Sequence, residues 1–411
     1  VSRPPVALYI HFPFCLSICP YCDFVVQAGR DARGPSNRIE AFVDAVVVEI
    51  GLRARPAPLS SIYLGGGTPS LMSAGQVARL LSAAERGFGI ADGAEVTIEA
   101  NPGPTERGDL AAFRAAGVNR LSVGAQSLKP TELRRLGRRH SPTDVVETVR
   151  TAREAGFENV SVDLLYDVPG QTLDSWRASL DATIALAPDH VSAYALSLDD
   201  PEAEGLTGPL GDHLPARPGA RRWRERARVE QDEDRAAAFY EMADDVLGDA
   251  GYAWYELSNW AMPGKESRHN LTYWLGDAWE AVGPGAHAFD GERTRRWNAA
   301  RIDAYLASLT PIADGSDVRL PMGASDTTDD QDAAADSAIL RLRTRAGLPA
   351  DIAGRPEFRG ALAWARANGL LEPAADGLRL TRRGRLLSNE VFVRLLPGTP
   401  PAIGQPADAA A

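Results

Sequence analysis

Cys15, Cys19 and Cys22 lie within eight residues, in HFPFCLSICPYCDF, and no other cysteine occurs in the 411-residue chain. Three thiols cannot make the disulfide framework of a small secreted protein. In a reducing compartment such a crowded set points to a metal. The residues alone leave two metals open. A structural zinc site is closed by four ligands, so zinc needs a fourth from His11 or a more distant histidine. A [4Fe–4S] cube held by three thiolates keeps one iron with an open position.

The cysteines follow a strand-like run, Ala7 to His11. A helical segment, Ile39 to Leu52, separates them from a second run, Ile62-Tyr63-Leu64, which ends in Gly65-Gly66-Gly67-Thr68-Pro69. Glycines at a strand end let a ligand approach the backbone, although such runs also serve as plain tight turns. Further strand-like runs cover Glu95 to Glu99, Arg120 to Ala125, Asn159 to Leu165 and His190 to Leu198. Helical patterns over Leu71 to Arg86, Arg107 to Ala116, Ser141 to Ala155 and Thr172 to Leu186 alternate with them. This order predicts βαβ units on a parallel sheet. Six strands suit an open, partial (β/α)6 barrel, in which functional residues collect at the C-terminal strand ends. Glu99, Gln126 and Asp163 stand at or in those strands, and Arg138 is read as part of the helix after the fourth. Taken singly, each suits a solvated loop or a cap. Asp163 does so least, because a carboxylate within an apolar strand needs a partner.

The spacing Cys-x3-Cys-x2-Cys after a strand resembles the radical S-adenosylmethionine (SAM) superfamily. Within it, the chain is similar to the oxygen-independent coproporphyrinogen oxidase-like family and its HemW-type heme chaperones. The likeness runs from about Tyr9 to Leu396 and is carried by YIHFPFCLSICPYCDF, GGGTPSL, IEANPG, AGVNRLSVGAQS, DLLYDVPGQT, GPGAHAF and LTRRGRLLSNEVF. The resemblance implies that Cys15, Cys19 and Cys22 hold a [4Fe–4S] cluster whose fourth iron is chelated by SAM. An electron from the cluster would then split the sulfonium to a 5′-deoxyadenosyl radical. Matching motifs make Tyr9, Gly66, Gly67 and Thr68 SAM contacts, together with Glu99, Gln126, Arg138 and Asp163. Arg138 would suit the methionyl carboxylate, and Glu99, Gln126 and Asp163 the amino group and ribose hydroxyls.

Two features divide chaperone from enzyme within this resemblance. Coproporphyrinogen dehydrogenases of the family carry a fourth cysteine two residues after the third, where this chain has Phe24, and a long extension before the Tyr9 position, where it has eight residues. His269-Asn270-Leu271-Thr272-Tyr273-Trp274 matches the HNxxYW pattern associated with heme binding in HemW-type proteins. His269 is then expected to offer an axial imidazole, with Tyr273 and Trp274 flanking the macrocycle. The bland alternative is that these aromatics pack an extension against the barrel. The expected function is heme delivery to recipient proteins. Decarboxylation of coproporphyrinogen III, or another radical modification of heme, is the enzymatic alternative.

With 44 Lys+Arg against 55 Asp+Glu the formal charge is −11, which argues against sequence-independent nucleic-acid binding. No apolar run is long enough to span a bilayer and no secretory signal is visible, so the chain reads as cytoplasmic. A second copy of the chain and contact with a membrane surface stay open as partners. Residues 1–200 are assigned to the barrel, 201–310 to an extension carrying HNxxYW, 311–335 to a linker, 336–396 to a winged-helix-like α+β module, and 397–411 to a disordered tail. The basic-then-acidic stretch from Ala216 to Ala236 predicts an exposed helix with i,i+4 pairs, or alternatively a surface for propionates or anionic lipid. Arg382, Arg383 and Arg385 invite a DNA-binding reading of the last module, but packing against the barrel is favoured.

Overall fold

The computed structural model describes residues 3–34, 37–198, 201–208, 211–310 and 318–398. The disordered-tail expectation therefore falls almost wholly outside the described residues. In the first half, strands β1 (Ala7–Phe12), β2 (Leu59–Gly66), β3 (Ile90–Ala100), β4 (Arg120–Gln126), β5 (Val160–Tyr166) and β6 (His190–Ala195) lie side by side in chain order, all parallel. Helices α1 (Ile39–Leu52), α2 (Ala74–Gly87), α3 (Leu110–Ala115), α4 (Pro130–Arg135), α5 (Pro142–Glu154) and α6 (Leu173–Ala185) connect them. This is the partial (β/α)6 barrel expected from the sequence.

Two-residue alternation explains how the barrel acquires two different faces. Leu8, Ile10, Phe12, Ile62, Leu64, Val96 and Ile98 belong to the main hydrophobic core shared with the helices. Each such side chain, fully buried, contributes roughly 1.5–3 kcal/mol. The intervening positions run across the sheet in register: Tyr9, Tyr63, Thr97 and Arg120 in one row, then Glu99, Ser122, Ser161 and His190. That second set is polar and largely buried, so the inside of the barrel is a lined chamber.

The second half contributes α7 (Pro218–Val229), α8 (Glu233–Asp249), β7 (Ala253–Glu256), β8 (Asn259–Ala261), α9 (Arg268–Leu275), β9 (Trp279–Val282), β10 (His287–Phe289), β11 (Thr294–Asn298) and α10 (Ile302–Leu309). Strands β8 and β7 continue the sheet antiparallel from β6; β9 pairs parallel with β1, and β10 and β11 follow antiparallel. Residues 253–298 thus extend both edges of the barrel sheet. Between the two edges, α9 crosses the barrel floor. Glu95 of β3 receives the backbone N–H groups of Arg268 and His269 at 3.1 and 3.2 Å, a carboxylate on the positive end of a helix. Gly276 ends α9 with φ +70°.

Three local expectations are corrected. Residues 322–327, read as linker, form strand β12 (Met322–Thr327) on the outer edge, antiparallel to β11. The segment MGASDT lacks an apolar face because an edge strand needs only backbone pairing, and the following helix already begins at Asp330. Residues 311–317 of the same stretch lie outside the described residues. Among the described residues, helix α7 shows no i,i+4 ion pair. Arg221 meets Glu202, Arg228 meets the Leu198 carbonyl, and Arg224 is buried against the cysteine loop. Arg138 stands beyond α4, which stops at Arg135 before Gly137 takes φ +69°.

The C-terminal module has its own core around Leu342, Phe358, Leu362 and Val391, with helices packed on the hairpin Leu371–Ala374/Gly377–Leu380. Two of the three clustered arginines turn toward the barrel, while Arg383 stays exposed. Arg385 pairs with Asp244 of α8 at 2.5 Å and lies 4.4 Å from the Trp254 ring centre, while Arg382 pairs with Asp245 at 2.6 Å. These contacts dock the module on the barrel and occupy two of the three charges that invited a DNA-binding reading.

Candidate functional site

The cysteine loop sits on the C-terminal ends of β1 and β2 because two glycines let it come close. Gly67 donates its N–H to the Phe12 carbonyl at 2.7 Å, and Thr68 to that of Phe14 at 2.8 Å. A Cβ at Gly67 would stand 2.6 Å from the Phe14 carbonyl oxygen; one at Gly66, where φ is +104°, would stand 2.5 Å from the His11 ring. Part of the glycine requirement is therefore packing beneath the loop. The loop closes with the Cys22 N–H on the Cys19 carbonyl at 3.1 Å. From outside, the Arg224 guanidinium donates to the carbonyls of Pro20, Tyr21 and Cys22, the last at 2.9 Å.

The three cysteines open into one cavity of about 420 Å³, which also receives Gly66, Gly67, Glu99, Gln126, Arg138 and Asp163. Thr68 stands just behind it, with its hydroxyl on Cys15 Sγ at 3.5 Å. Tyr9 is the exception. Its hydroxyl bonds His11 Nδ1 at 3.0 Å, and the ring faces a different cavity. Burial raises the Cys15 thiol to about 11 and pushes Cys22 up as well, so thiolates there require a neighbouring cation. Among the described residues no three His, Cys, Asp or Glu side chains converge on a single-ion position.

The charges around the cavity are specifically held. Arg138 is half-buried; its guanidinium donates to Asn101 Oδ1 at 2.5 Å, the Gly124 carbonyl at 2.7 Å and Cys19 Sγ at 3.6 Å. Its Nε has no partner among the described residues. A cation held at the cavity wall in this way favours an anionic ligand. Asp163 finds the partners its position demanded: the hydroxyls of Ser122, Ser161 and Ser192 donate to it at 2.8, 3.1 and 2.8 Å. Gln126 ends β4 with φ +64°, a conformation that side chains rarely adopt and that turns the chain into the cavity. Asn101 and Arg120 also line this cavity and were not singled out by motif reading. Asn101 links Thr68 to Arg138, and buried Arg120 faces Glu95 and Asp163.

Glu99 accepts the Tyr63 hydroxyl at 2.8 Å and the Gly66 N–H at 2.9 Å, yet burial, with Asp163 nearby, raises it to about 7. Its ordinary value is 4.5. Between these two the folded chain holds a proton that the unfolded chain has released, so this group's contribution to stability falls as pH rises through that window. In cluster-free protein, urea unfolding at pH 5 and pH 8 should show Glu99→Gln gaining on the parent chain at the higher pH. An unchanged difference between the two would contradict the assignment.

A second cavity of about 370 Å³ lies beside the first, lined by Tyr9, Tyr273, Trp274 and Trp279. Asp23 and Phe24 border both cavities. Tyr273 and Trp274 therefore face open space as expected, but His269 does not. It is 1% exposed; its Nδ1 bonds Ser61 Oγ at 2.9 Å and its Nε2 bonds the Tyr273 hydroxyl at 2.8 Å. In this structure His269 packs α9 against the barrel, stacked on Tyr63 at 5.1 Å, and an axial role would require it to release one of these two partners.

A cysteine loop over strand-end glycines, on an open six-stranded barrel with a docked C-terminal module, defines a radical SAM-type protein. Consistent with this, residues 9–182 match the Radical SAM superfamily model and residues 328–387 the HemN C-terminal domain model. The chain belongs to the heme chaperone HemW family. It is 38% identical over 393 residues to the heme chaperone HemW of Mycobacterium tuberculosis (95% of each chain), and 32% identical over 397 residues to that of Bacillus subtilis (93% of this chain, 97% of that one). Among solved structures, coproporphyrinogen III oxidase (HemN) from Escherichia coli superposes with a TM-score of 0.76 over 96% of this chain and 91% of that one, at 22% identity, a likeness of fold.

Proposed function

We propose that the chain is a heme chaperone of the cytoplasm, which binds a [4Fe–4S] cluster, SAM and heme and passes heme to recipient proteins. Cys15, Cys19 and Cys22 would hold the cluster. Arg138 would take the methionyl carboxylate of SAM, while Glu99, Gln126 and Asp163 offer polar groups around the amino group and ribose. Gly66, Gly67 and Thr68 keep the floor shallow enough for such a ligand. A reduced [4Fe–4S] cluster held by these cysteines would be able to supply an electron to the sulfonium of bound SAM. The residues of this chain position the ligand and exclude water. Tyr9 lines the neighbouring cavity and is proposed there as part of the heme wall. Family membership supports the reading, but the observation that carries it is the second cavity: an aromatic-walled space separate from the cluster, with Tyr273 and Trp274 of the HNxxYW segment on its wall.

The test is anaerobic incubation of reconstituted protein with coproporphyrinogen III, SAM and a reductant, beside transfer of bound heme to an apo-hemoprotein. Heme transfer without protoporphyrinogen formation is expected. Formation of protoporphyrinogen at the rate of an authentic dehydrogenase would make the chain an enzyme of that class.

A further inference from the structure

We propose that His213 is the axial ligand to the iron of a porphyrin seated in the second cavity, with Asp212 orienting its imidazole. The inference rests on the heme reading above and names the ligand within it.

The chain has six histidines, and their surroundings separate them. His269 has both ring nitrogens engaged inside the barrel floor, and so does His190, on Ser161 Oγ and the Tyr255 hydroxyl, each at 2.8 Å. His11 is held between the Tyr9 hydroxyl and the Val25 carbonyl, the latter at 2.8 Å. His140 bonds the Ala125 carbonyl and is not part of this cavity. Only His213 and His287 border the cavity with a nitrogen to spare, and both are tied to the same carboxylate. His287 places Nε2 on Asp212 Oδ2 at 3.0 Å and stacks on Trp297 at 5.5 Å. Its remaining nitrogen is Nδ1, crowded by its own Cβ. His213 places Nδ1 on Asp212 Oδ1 at 2.8 Å, which leaves the unhindered Nε2.

A ring nitrogen held by a carboxylate while the other faces a metal is the usual arrangement of metal-bound histidines, because the carboxylate fixes the tautomer and raises the basicity of the ligating nitrogen. The rest of the cavity suits a flat, amphipathic tetrapyrrole. Its volume of about 370 Å³ falls within the range of small-molecule sites, and Tyr273, Trp274 and Trp279 give apolar faces. Arg295 lies over the Trp279 and Phe289 rings at 6.0 and 5.6 Å and has no ion pair among the described residues, so it is available to a propionate.

The experiment is a hemin titration of full-length protein with absorption and electron paramagnetic resonance spectra, on the parent chain, His213→Ala and Asp212→Asn. Parent protein should show nitrogen-ligated heme. His213→Ala should lose that signature and regain it with added imidazole. Asp212→Asn should keep it but bind about 10–100-fold more weakly. A parent chain that binds hemin with a spectrum unchanged in His213→Ala overturns this assignment and leaves the chaperone reading standing. A parent chain that binds no hemin overturns both. Loss of binding in His213→Ala that imidazole does not rescue, with unchanged circular dichroism, also counts against direct ligation.

Discussion

Cys19→Ala is expected to leave anaerobic reconstitution with almost none of the iron and sulfide that the parent chain takes up. Each thiolate of a three-cysteine cube holds a different iron, so removal of one leaves two of the four irons without a protein ligand. The loop also depends on Cys19 twice, through the turn that its carbonyl makes with Cys22 and through the contact of its sulfur with Arg138. The alanine variant keeps the first and loses the second, and secondary structure should not change. Iron and acid-labile sulfide analysis reads the result directly. A full complement of both in Cys19→Ala would remove the cluster assignment. Zinc without sulfide in the parent protein would return the three cysteines to a structural zinc site.

The second large effect concerns stability and lies at the other end of the barrel. Glu95→Ala is expected to destabilise the protein by about 1–3 kcal/mol, the cost of leaving buried donors without their acceptor. Glu95 carries three loads: the N–H groups of Arg268 and His269, the Ser267 hydroxyl at 3.3 Å, and the field of Arg120, which is 2% exposed. Losing it leaves a buried guanidinium without its main counter-charge and the start of α9 without acceptors. Set against a total of roughly 5–15 kcal/mol, such a loss would be plain in a denaturant midpoint. Glu95→Gln keeps an acceptor and should recover part of the difference. A change below about 1 kcal/mol in Glu95→Ala would show that water replaces the carboxylate freely and that α9 is not anchored there.

Much of this architecture was legible from local sequence because apolar alternation and helix periodicity are themselves local. The six parallel strands and their helices stand where the runs placed them, shifted by a few residues at the ends. The cluster loop declared itself through cysteine spacing. Asp163 was visible because a lone carboxylate in VSVDLLY breaks an apolar run, but its partners Ser122 and Ser192 come from neighbouring strands and only register brings them to it. The same reason hides Arg120 and Asn101. His213 and Arg224 were illegible for a different reason: they come from a loop and an arginine-rich helix whose composition looks solvent-facing, and their meaning lies in what they touch. His269 shows the converse. A motif marked the right helix, and Tyr273 and Trp274 do face the cavity, but the histidine one turn earlier points into the floor.

The Asp23–Phe24 pair has the broadest mechanical consequence. Both residues are exposed, Phe24 at 60%, and they form a shared rim between the chamber of the cysteines and the chamber of the aromatics. A displacement of this rim would reshape both openings at once, so ligands bound in the two chambers would be coupled through it. A cluster and a porphyrin bound as proposed would then lie back to back, one on each side of this dipeptide.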